Sequence, residues 1–341
     1  QLAQSVAEGR KAYRGSTLDD VALIQGGFRM TSLAGGAVCA LALLGWLVLW
    51  LRPQWQQALG RVIGLLMLVE LLLFAIDQSV QCDPSLYFPR IPALQQVVES
   101  EPGRVVGCSA MPANLAGTHE LRDVRGYDAI DPKRYVELVS RAADPHSLIF
   151  SYTAIQYLTP SLSWDEQGRL RLPPLLDLLG VRYVIFRGNA YENAKPDFTS
   201  PDYFVMVNRA ALPRAFVPRR VVLQRDPARR LDLLAAPDFD PRAVAYVETE
   251  VNLPSDCQGD VSVLNEIPTR VTLSVSMETD GLVVLTDRWD KGWAAYLDGQ
   301  AAPILIVNHA LRGVLVPKGA RTLDFRYEPA SFRWGLAACG L

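Results

Sequence analysis

An uncharged apolar stretch near the N-terminus constrains this chain more than any other feature of its sequence. Residues 30–51, "MTSLAGGAVCALALLGWLVLWL", carry no charge and are bounded by Arg29 and Arg52. A helix of this length would measure about 33 Å, enough to cross a hydrocarbon core of about 30 Å. A secretory signal peptide would have a shorter apolar core and would begin closer to the N-terminus. We therefore predict a transmembrane helix over residues 30–51.

A second apolar run over residues 62–76 predicts a second transmembrane helix, which we place at 60–78. The short linker between the runs contains two arginines, and short Arg-rich loops tend to stay cytoplasmic. Residues 1–29 are then an extracytoplasmic loop or pre-helix segment, and the large domain that follows is also extracytoplasmic. The apolar run at 330–341 predicts the start of a further transmembrane helix.

Glu70 interrupts the second apolar run. An intramembrane carboxylate is costly and often functional, so two interpretations are open. Glu70 either faces neighbouring helices as a hydrogen-bonding group or lies near a lipid headgroup.

The overall charge and the metal-ligating residue types exclude two classes of function. The chain has 34 basic and 36 acidic residues, and this balance does not provide the basic surface that a nucleic-acid partner needs. Its five cysteines form no CxxC motif and its three histidines are far apart, so we predict no metal site. Because the chain begins with Gln and stops inside an apolar run, we expect it to be part of a longer protein.

The sequence between the apolar segments changes in texture at about residue 255. Residues 79–255 alternate helix and strand signals, which predicts a mixed α/β subdomain. Residues 256–329 contain short strands separated by turns at Asp280-Gly281, Asp298-Gly299 and Lys318-Gly319, which predicts hairpins and a β-sandwich. The predicted fold class is therefore membrane-anchored α+β, with a transmembrane helix hairpin, an α/β subdomain and a C-terminal β-sandwich.

Several motifs occur in an order that identifies a family. They are "MPANLAGTHELRDVRGYDAIDPKRY", "LLDLLGVRYVI", "VNRAALPRAFV" and "DRWDKGWAAYLDGQAAPILIVNHALRGVLVPKGARTLDFRYEPASFRWG". Together they run from about residue 103 to the end of the chain. This sequence resembles the C-terminal portion of the bacterial YfhO-like membrane proteins, which are related to the GT-C glycosyltransferases.

The resemblance implies a multi-pass protein of the bacterial cytoplasmic membrane. Such a protein would transfer sugar from a polyprenyl-phosphate-linked donor to a cell-envelope glycopolymer outside the membrane. The key acidic residue of GT-C enzymes lies in the first extracytoplasmic loop, so the resemblance carries no catalytic residue over to this chain. It implies no cofactor within the chain, although a divalent cation often assists enzymes of this kind.

The segment "LRDVRGYDAIDPKRY" at residues 121–135 is the first candidate for ligand binding. Arginine forks bind phosphate or carboxylate in a bidentate way, tyrosine rings stack on sugars, and carboxylates accept hydroxyl hydrogen bonds. Alternatively, Asp131 begins a helix and the Asp and Arg side chains satisfy one another. The candidate binding residues are Arg122, Arg125, Tyr127, Asp128, Arg134 and Tyr135.

The segment "TDRWDKGWAAYLDG" at residues 286–299 is the second candidate. Trp289, Trp293 and Tyr296 offer aromatic faces close to Asp287 and Asp290, a combination common in carbohydrate-binding sites. Alternatively, these aromatic residues belong to the core or form cross-strand pairs. Of the three, we expect Trp289 to be the most exposed.

Two hypotheses of function follow from the sequence. In the first, the chain belongs to a membrane glycosyltransferase and its extracytoplasmic domain helps to bind the acceptor. In the second, it is a non-catalytic, membrane-tethered module for polysaccharide binding or assembly. A transporter subunit that uses Glu70 is a weaker third hypothesis.

Overall fold

The computed structural model describes residues 18–78, 89–126, 130–146, 154–190 and 194–340. The chain divides into two compact units, Gln1–Tyr87 and Phe88–Leu341.

The N-terminal unit contains two helices, α1 (Leu18–Leu51) and α2 (Gln56–Gln78), with a 3-10 turn at Pro53–Trp55 between them. Within the described residues, α1 is the one helix that is long and apolar enough to span a membrane, over Val21–Val48. None of its most apolar window is buried, which suggests membrane association. The second predicted span and the multi-pass topology stay predictions.

The predicted start of the first helix was wrong. Residues 18–29, predicted as part of a loop or pre-helix segment, extend α1 at its N-terminal end. Backbone hydrogen bonds continue a helix through polar residues, so the end of an apolar run does not mark the end of the helix. On α2, the side chain of Glu70 is exposed.

The C-terminal unit begins with a mixed sheet in the strand order β2-β1-β5-β7-β6. β1 pairs in parallel with β2 and β5, whereas β7 is antiparallel to β5 and β6. The elements of this region are α3 (Pro92–Glu99), β1 (Arg104–Cys108), α4 (Leu115–Thr118), β2 (Arg122–Asp123), α5 (Lys133–Ser140), β3 (Ser163–Trp164), β4 (Leu170–Arg171), α6 (Pro174–Leu178), β5 (Val181–Arg187), β6 (Phe198–Thr199) and β7 (Tyr203–Val207).

Both faces of this mixed sheet are buried. Val105 and Ile185 lie in a core with Leu94 of α3, whereas Val106 and Val184 lie in the core that also holds buried residues of α5 and α6. Successive strand residues point to opposite faces, so burial on both sides explains the continuous apolar runs of β1 and β5.

Two further sheets follow. One has the order β8-β13-β17-β16-β10-β9 and the other has the order β11-β12-β18-β14-β15. Their elements, with two helices, are β8 (Ala215–Phe216), β9 (Arg220–Leu223), α7 (Pro227–Ala235), β10 (Val244–Val247), β11 (Gly259–Ile267), β12 (Arg270–Met277), β13 (Gly281–Arg288), β14 (Trp293–Leu297), β15 (Gln300–Ala302), β16 (Leu305–Val307), β17 (Leu311–Val316), β18 (Thr322–Tyr327) and α8 (Ala330–Ala338).

The six-stranded sheet contributes to two cores. Leu282 and Val284 of β13 lie in the core shared with α5 and α6, whereas Val283 and Leu285 lie in a core shared with β12 and β18. The predicted α+β class is confirmed. The subdomain boundary at residue 255 stays a prediction, and strands β8 to β10 from before it join this sheet.

The three predicted turns differ in what they connect. Asp298-Gly299 joins β14 to β15 in a two-residue hairpin, and both residues have positive φ, as the favoured hairpin turns require. Asp280-Gly281 and Lys318-Gly319 instead connect strands of different sheets. The hairpin prediction is therefore confirmed for the first turn and was wrong for the other two.

Candidate functional site

Three aromatic residues predicted to bind a ligand line one pocket. Trp289 follows β13, and Trp293 and Tyr296 lie on β14, so the turn between these strands brings them together. The pocket has a volume of about 310 Å³. Its remaining lining residues are Asp290, Lys291, Ala294, Ala295, Ala301, Ala302 and Ile304.

Asp290 and Gly292 shape the turn beside Trp289. The Asp290 carboxylate accepts a hydrogen bond from the Gly292 N–H at 2.8 Å. A Cβ at position 292 would lie 2.6 Å from the ring of Tyr327, so this close approach requires glycine. The backbone N–H of Trp289 donates to the carbonyl of Ala310 at 2.7 Å, which holds the start of the turn.

The three aromatic rings differ in their contacts. The Arg312 guanidinium stacks over Trp293 at 4.0 Å, and Tyr327 packs against the same ring at 5.3 Å. Arg326 stacks over Tyr296 at 4.5 Å. Trp289 is half-buried, and no ring or guanidinium stacks on it among the described residues. Its face is therefore the best placed to receive a ligand.

A network of ion pairs lies next to Trp293. Asp287 accepts hydrogen bonds from Arg104 at 2.7 Å, from Arg214 at 2.7 and 2.9 Å, and from Arg312 at 3.0 Å. Burial alone would raise the pKa of Asp287, but the hydrogen bonds and charges of these arginines outweigh it and lower that pKa. Burial, opposed by Asp287, lowers the pKa of Arg312 to about 10, with repulsion from Arg214 and Arg104 adding to the shift.

Arg125, a predicted binding residue, is engaged inside the protein. Its Nε and Nη2 donate to the two carboxylate oxygens of Asp123 at 3.0 and 2.7 Å, and its side chain is 5% exposed. It also donates to the carbonyls of Gly107 and Met111 at 3.1 and 2.8 Å. These contacts support the alternative in which Arg125 holds the loop after β1 to the loop after β2.

Tyr135 and Arg134 also have internal partners. The Tyr135 hydroxyl donates to the carbonyl of Val124 at 2.8 Å, and burial raises the pKa of this tyrosine to about 12. Arg134 pairs with Glu248 at 2.5 Å and donates to the carbonyl of His309 at 3.3 Å.

Arg122 is the most exposed arginine of the predicted segment whose side chain is described. It pairs with Glu266 of β11 at 2.8 Å, and 56% of its side chain is exposed. Tyr127 and Asp128 lie outside the described residues.

A second polar cluster was missed by the sequence analysis. The His309 imidazole is buried, with its Nε2 at 2.9 Å from Glu137 and its Nδ1 at 3.2 Å from Arg230. Arg230 also donates to Glu248 at 2.7 Å. The preceding residue, Asn308, and His309 itself both have positive φ, an uncommon conformation outside glycine.

The partners of His309 and Asp287 are distant in sequence. Glu137 lies 172 positions before His309, and Arg104 lies 183 positions before Asp287. A single sequence contains no signal that pairs residues at such separations. The sequence analysis therefore placed Asp287 beside the aromatic residues without predicting its arginine partners.

Comparison of the sequence with protein families and with curated proteins gives no match. Among solved structures, the chain matches the cryo-electron microscopy structure of arabinofuranosyltransferase AftD from Mycobacteria at 16% sequence identity and a TM-score of 0.18. The match covers 24% of this chain and 6% of that chain. A likeness of this size establishes neither a shared fold nor a shared activity.

Proposed function

We propose that this chain is part of an integral membrane protein of the glycosyltransferase-like kind and that its C-terminal unit binds the carbohydrate acceptor. The donor would be a polyprenyl-phosphate-linked sugar, and the acceptor a cell-envelope glycopolymer. The apolar helix α1 supports membrane association. The motifs shared with YfhO-like proteins support the kind of reaction.

The observation that carries the proposal is the pocket lined by Trp289, Trp293 and Tyr296. Its volume of about 310 Å³ falls within the range of about 300–1,000 Å³ that is usual for small-ligand sites. The ring of Trp289 provides an apolar face for the C–H groups of a sugar, and its indole N–H provides a hydrogen-bond donor. Asp290 and Lys291 at the same pocket suit the hydroxyl groups of a carbohydrate.

A non-catalytic binding module is the second candidate. The observation that favours it is the state of Asp290, whose carboxylate accepts the Gly292 N–H and so stabilises the turn. A carboxylate in this structural role suits binding rather than proton transfer. Both candidates use the same pocket and differ in whether transfer occurs.

The substitution Trp289→Ala tests the pocket. In the full chain, held in detergent micelles, we expect it to weaken the binding of envelope-derived oligosaccharides by about tenfold, because the stacking face is lost. Isothermal titration calorimetry measures this change. Trp164→Ala is the matched control, since Trp164 is an exposed tryptophan of β3 that does not line the pocket. Unchanged binding in Trp289→Ala would remove the pocket from the proposal.

A transfer assay separates the two candidates. The full-length protein is incubated with a polyprenyl-phosphate-linked sugar and the bound glycopolymer, and labelled product is measured. Product formation supports the enzyme. Binding without product supports the non-catalytic module.

A further inference from the structure

A groove of about 620 Å³ lies apart from the aromatic pocket and shares none of its lining residues. It opens at the amino ends of the parallel strands β1, β2 and β5, beside the edge strand β11. Its volume falls within the usual range of ligand sites, about 300–1,000 Å³. Part of its wall is apolar and is formed by Val97, Val98, Leu121, Leu179, Leu212 and Val263.

Four arginines line the groove, and the sheet register explains three of them. Arg122 begins β2, Arg104 begins β1, and Arg182 is the second residue of β5. Arg104 pairs in register with both Arg122 and Val181, so neighbouring parallel strands place these arginines side by side. Arg214, just before β8, is the fourth.

The ion-pair network beneath the groove carries more positive than negative charge. Arg122 and Arg214 pair with Glu266, while Arg104, Arg214 and Arg312 pair with Asp287. Four guanidinium groups therefore meet two carboxylates, which leaves a net charge of +2.

This charge excess is not cancelled by the other acidic residues of the groove. Arg182 pairs with Glu101 at 2.7 Å and adds no net charge, and the exposed Glu120 lowers the excess to +1. The side chains of Arg104 and Arg214 are 16% and 21% exposed, so solvent screens them poorly. Uncompensated charge at partly buried sites is costly, and an anionic ligand would remove that cost.

Two arginines have N–H groups directed to the groove region that remain available to a ligand. Arg122 is mostly exposed, and Glu266 is its ion-pair partner through Nη2 alone. The buried Nε of Arg182 has no hydrogen-bond partner within the described part of the chain. Planar guanidinium groups of this kind bind phosphate or carboxylate through paired hydrogen bonds.

We propose that this groove binds an oxyanion, phosphate or carboxylate, on a ligand whose body packs against the apolar wall. Arg122 and Arg182 donate to the oxyanion, while Arg104 and Arg214 supply its positive field. The site is separate from the aromatic pocket and does not depend on the proposed function.

Calorimetric titration of the full chain in non-ionic detergent tests the site, with inorganic phosphate and D-glucuronate as probes at constant ionic strength. We expect saturable binding of at least one probe, weakened about tenfold by Arg122→Ala because a charge-assisted donor is lost. Binding of phosphate alone identifies a phosphate-bearing ligand, and binding of glucuronate alone identifies an acidic sugar. Binding of both supports recognition of the shared oxyanion.

Three further variants make the result decisive. Arg122→Gln keeps the length of the side chain and is used if Arg122→Ala does not fold; we expect it to weaken binding similarly. Arg209→Ala is the matched control, because Arg209 is an exposed arginine that pairs with Asp197 outside the groove. Trp289→Ala should leave anion binding unchanged, so this site and the sugar pocket can fail independently. Absence of saturable binding, or equal binding in Arg122→Ala and the native chain, would overturn the proposal.

Discussion

Two arginines three positions apart show how little a residue type says about its role. Arg122 and Arg125 belong to the same polar segment, yet their side chains are 56% and 5% exposed. Arg125 is surrounded by Asp123 and two backbone carbonyls, whereas Arg122 lies at a groove. The difference arises because residue 122 lies on the short edge strand β2 and residue 125 lies in the loop that follows it.

His309 is held in its neutral form by its neighbours. Arginine is always a donor, so the Nδ1 that faces Arg230 must accept, and Nε2 then donates to Glu137. Protonation would place an N–H at Nδ1 against the Arg230 guanidinium. Burial lowers the pKa of His309 below its usual 6.5, and the charge of Arg230 lowers it further, although Glu137 opposes the shift.

The lowered pKa of His309 predicts a loss of stability in acid. In the unfolded chain this histidine binds a proton below about pH 6.5, while in the folded chain it remains neutral to lower pH. The unfolded state therefore binds more protons, and the free energy of unfolding falls as the pH drops from about 7 to 5. Chemical denaturation at a series of pH values measures this fall, and we expect His309→Gln to flatten it. His146→Gln, at an exposed histidine, should keep the full dependence.

At the scale of elements, the dipeptide Asp-Pro occurs before two helices with different results. Asp226 caps α7, because its carboxylate accepts the N–H groups of Ala228 and Arg229. Asp131 was expected to cap α5, but the N-cap of that helix is Pro132 and no side chain caps it. The Asp131 carboxylate instead lies 3.5 Å from the N–H of Ile155, so a tertiary contact replaces the local one.

These two aspartates form a matched pair for mutagenesis. We expect Asp226→Ala to lower the free energy of unfolding by about 1 kcal/mol, because two N–H groups of the first helical turn lose their acceptor. Asp131→Ala should cost clearly less, since its single contact is long. Equilibrium denaturation of both variants measures the difference. Equal losses would contradict the assignment of the cap to Asp226 alone.

At the scale of the whole molecule, the second unit contains the buried cores within itself. The three apolar clusters are formed by residues between Ala93 and Phe325. Helix α8 follows them, with Phe332 and Trp334 exposed. Exposed apolar side chains on a terminal helix favour contact with a lipid surface or another apolar partner.

This arrangement predicts the behaviour of two truncated chains. A chain of residues 88–329 should remain soluble and unfold in one cooperative transition, because its cores are complete. A chain of residues 88–341 should associate with phospholipid vesicles through the exposed face of α8. Sedimentation with vesicles and thermal unfolding compare the two. Equal partitioning would contradict a membrane role for α8, and a non-cooperative transition of the shorter chain would contradict an independently stable unit.

The sequence by itself determined the features that depend on neighbouring residues. The long apolar run predicted α1, Gly180 at positive φ ends the turn after α6, and Asp298-Gly299 forms its hairpin. Each depends on backbone geometry or apolar periodicity within a few residues, so a local pattern is sufficient.

Only the tertiary structure decided which strands share a sheet and which charges meet. Asp280-Gly281 looks like a hairpin turn in the sequence, but β12 and β13 belong to different sheets because each buries an apolar face against the core between them. Arg104 reaches Asp287 because β1 and β13 lie in layers that pack on one core. The free energy of such contacts comes from burial and from charge pairing across the fold, and neither leaves a trace in local sequence.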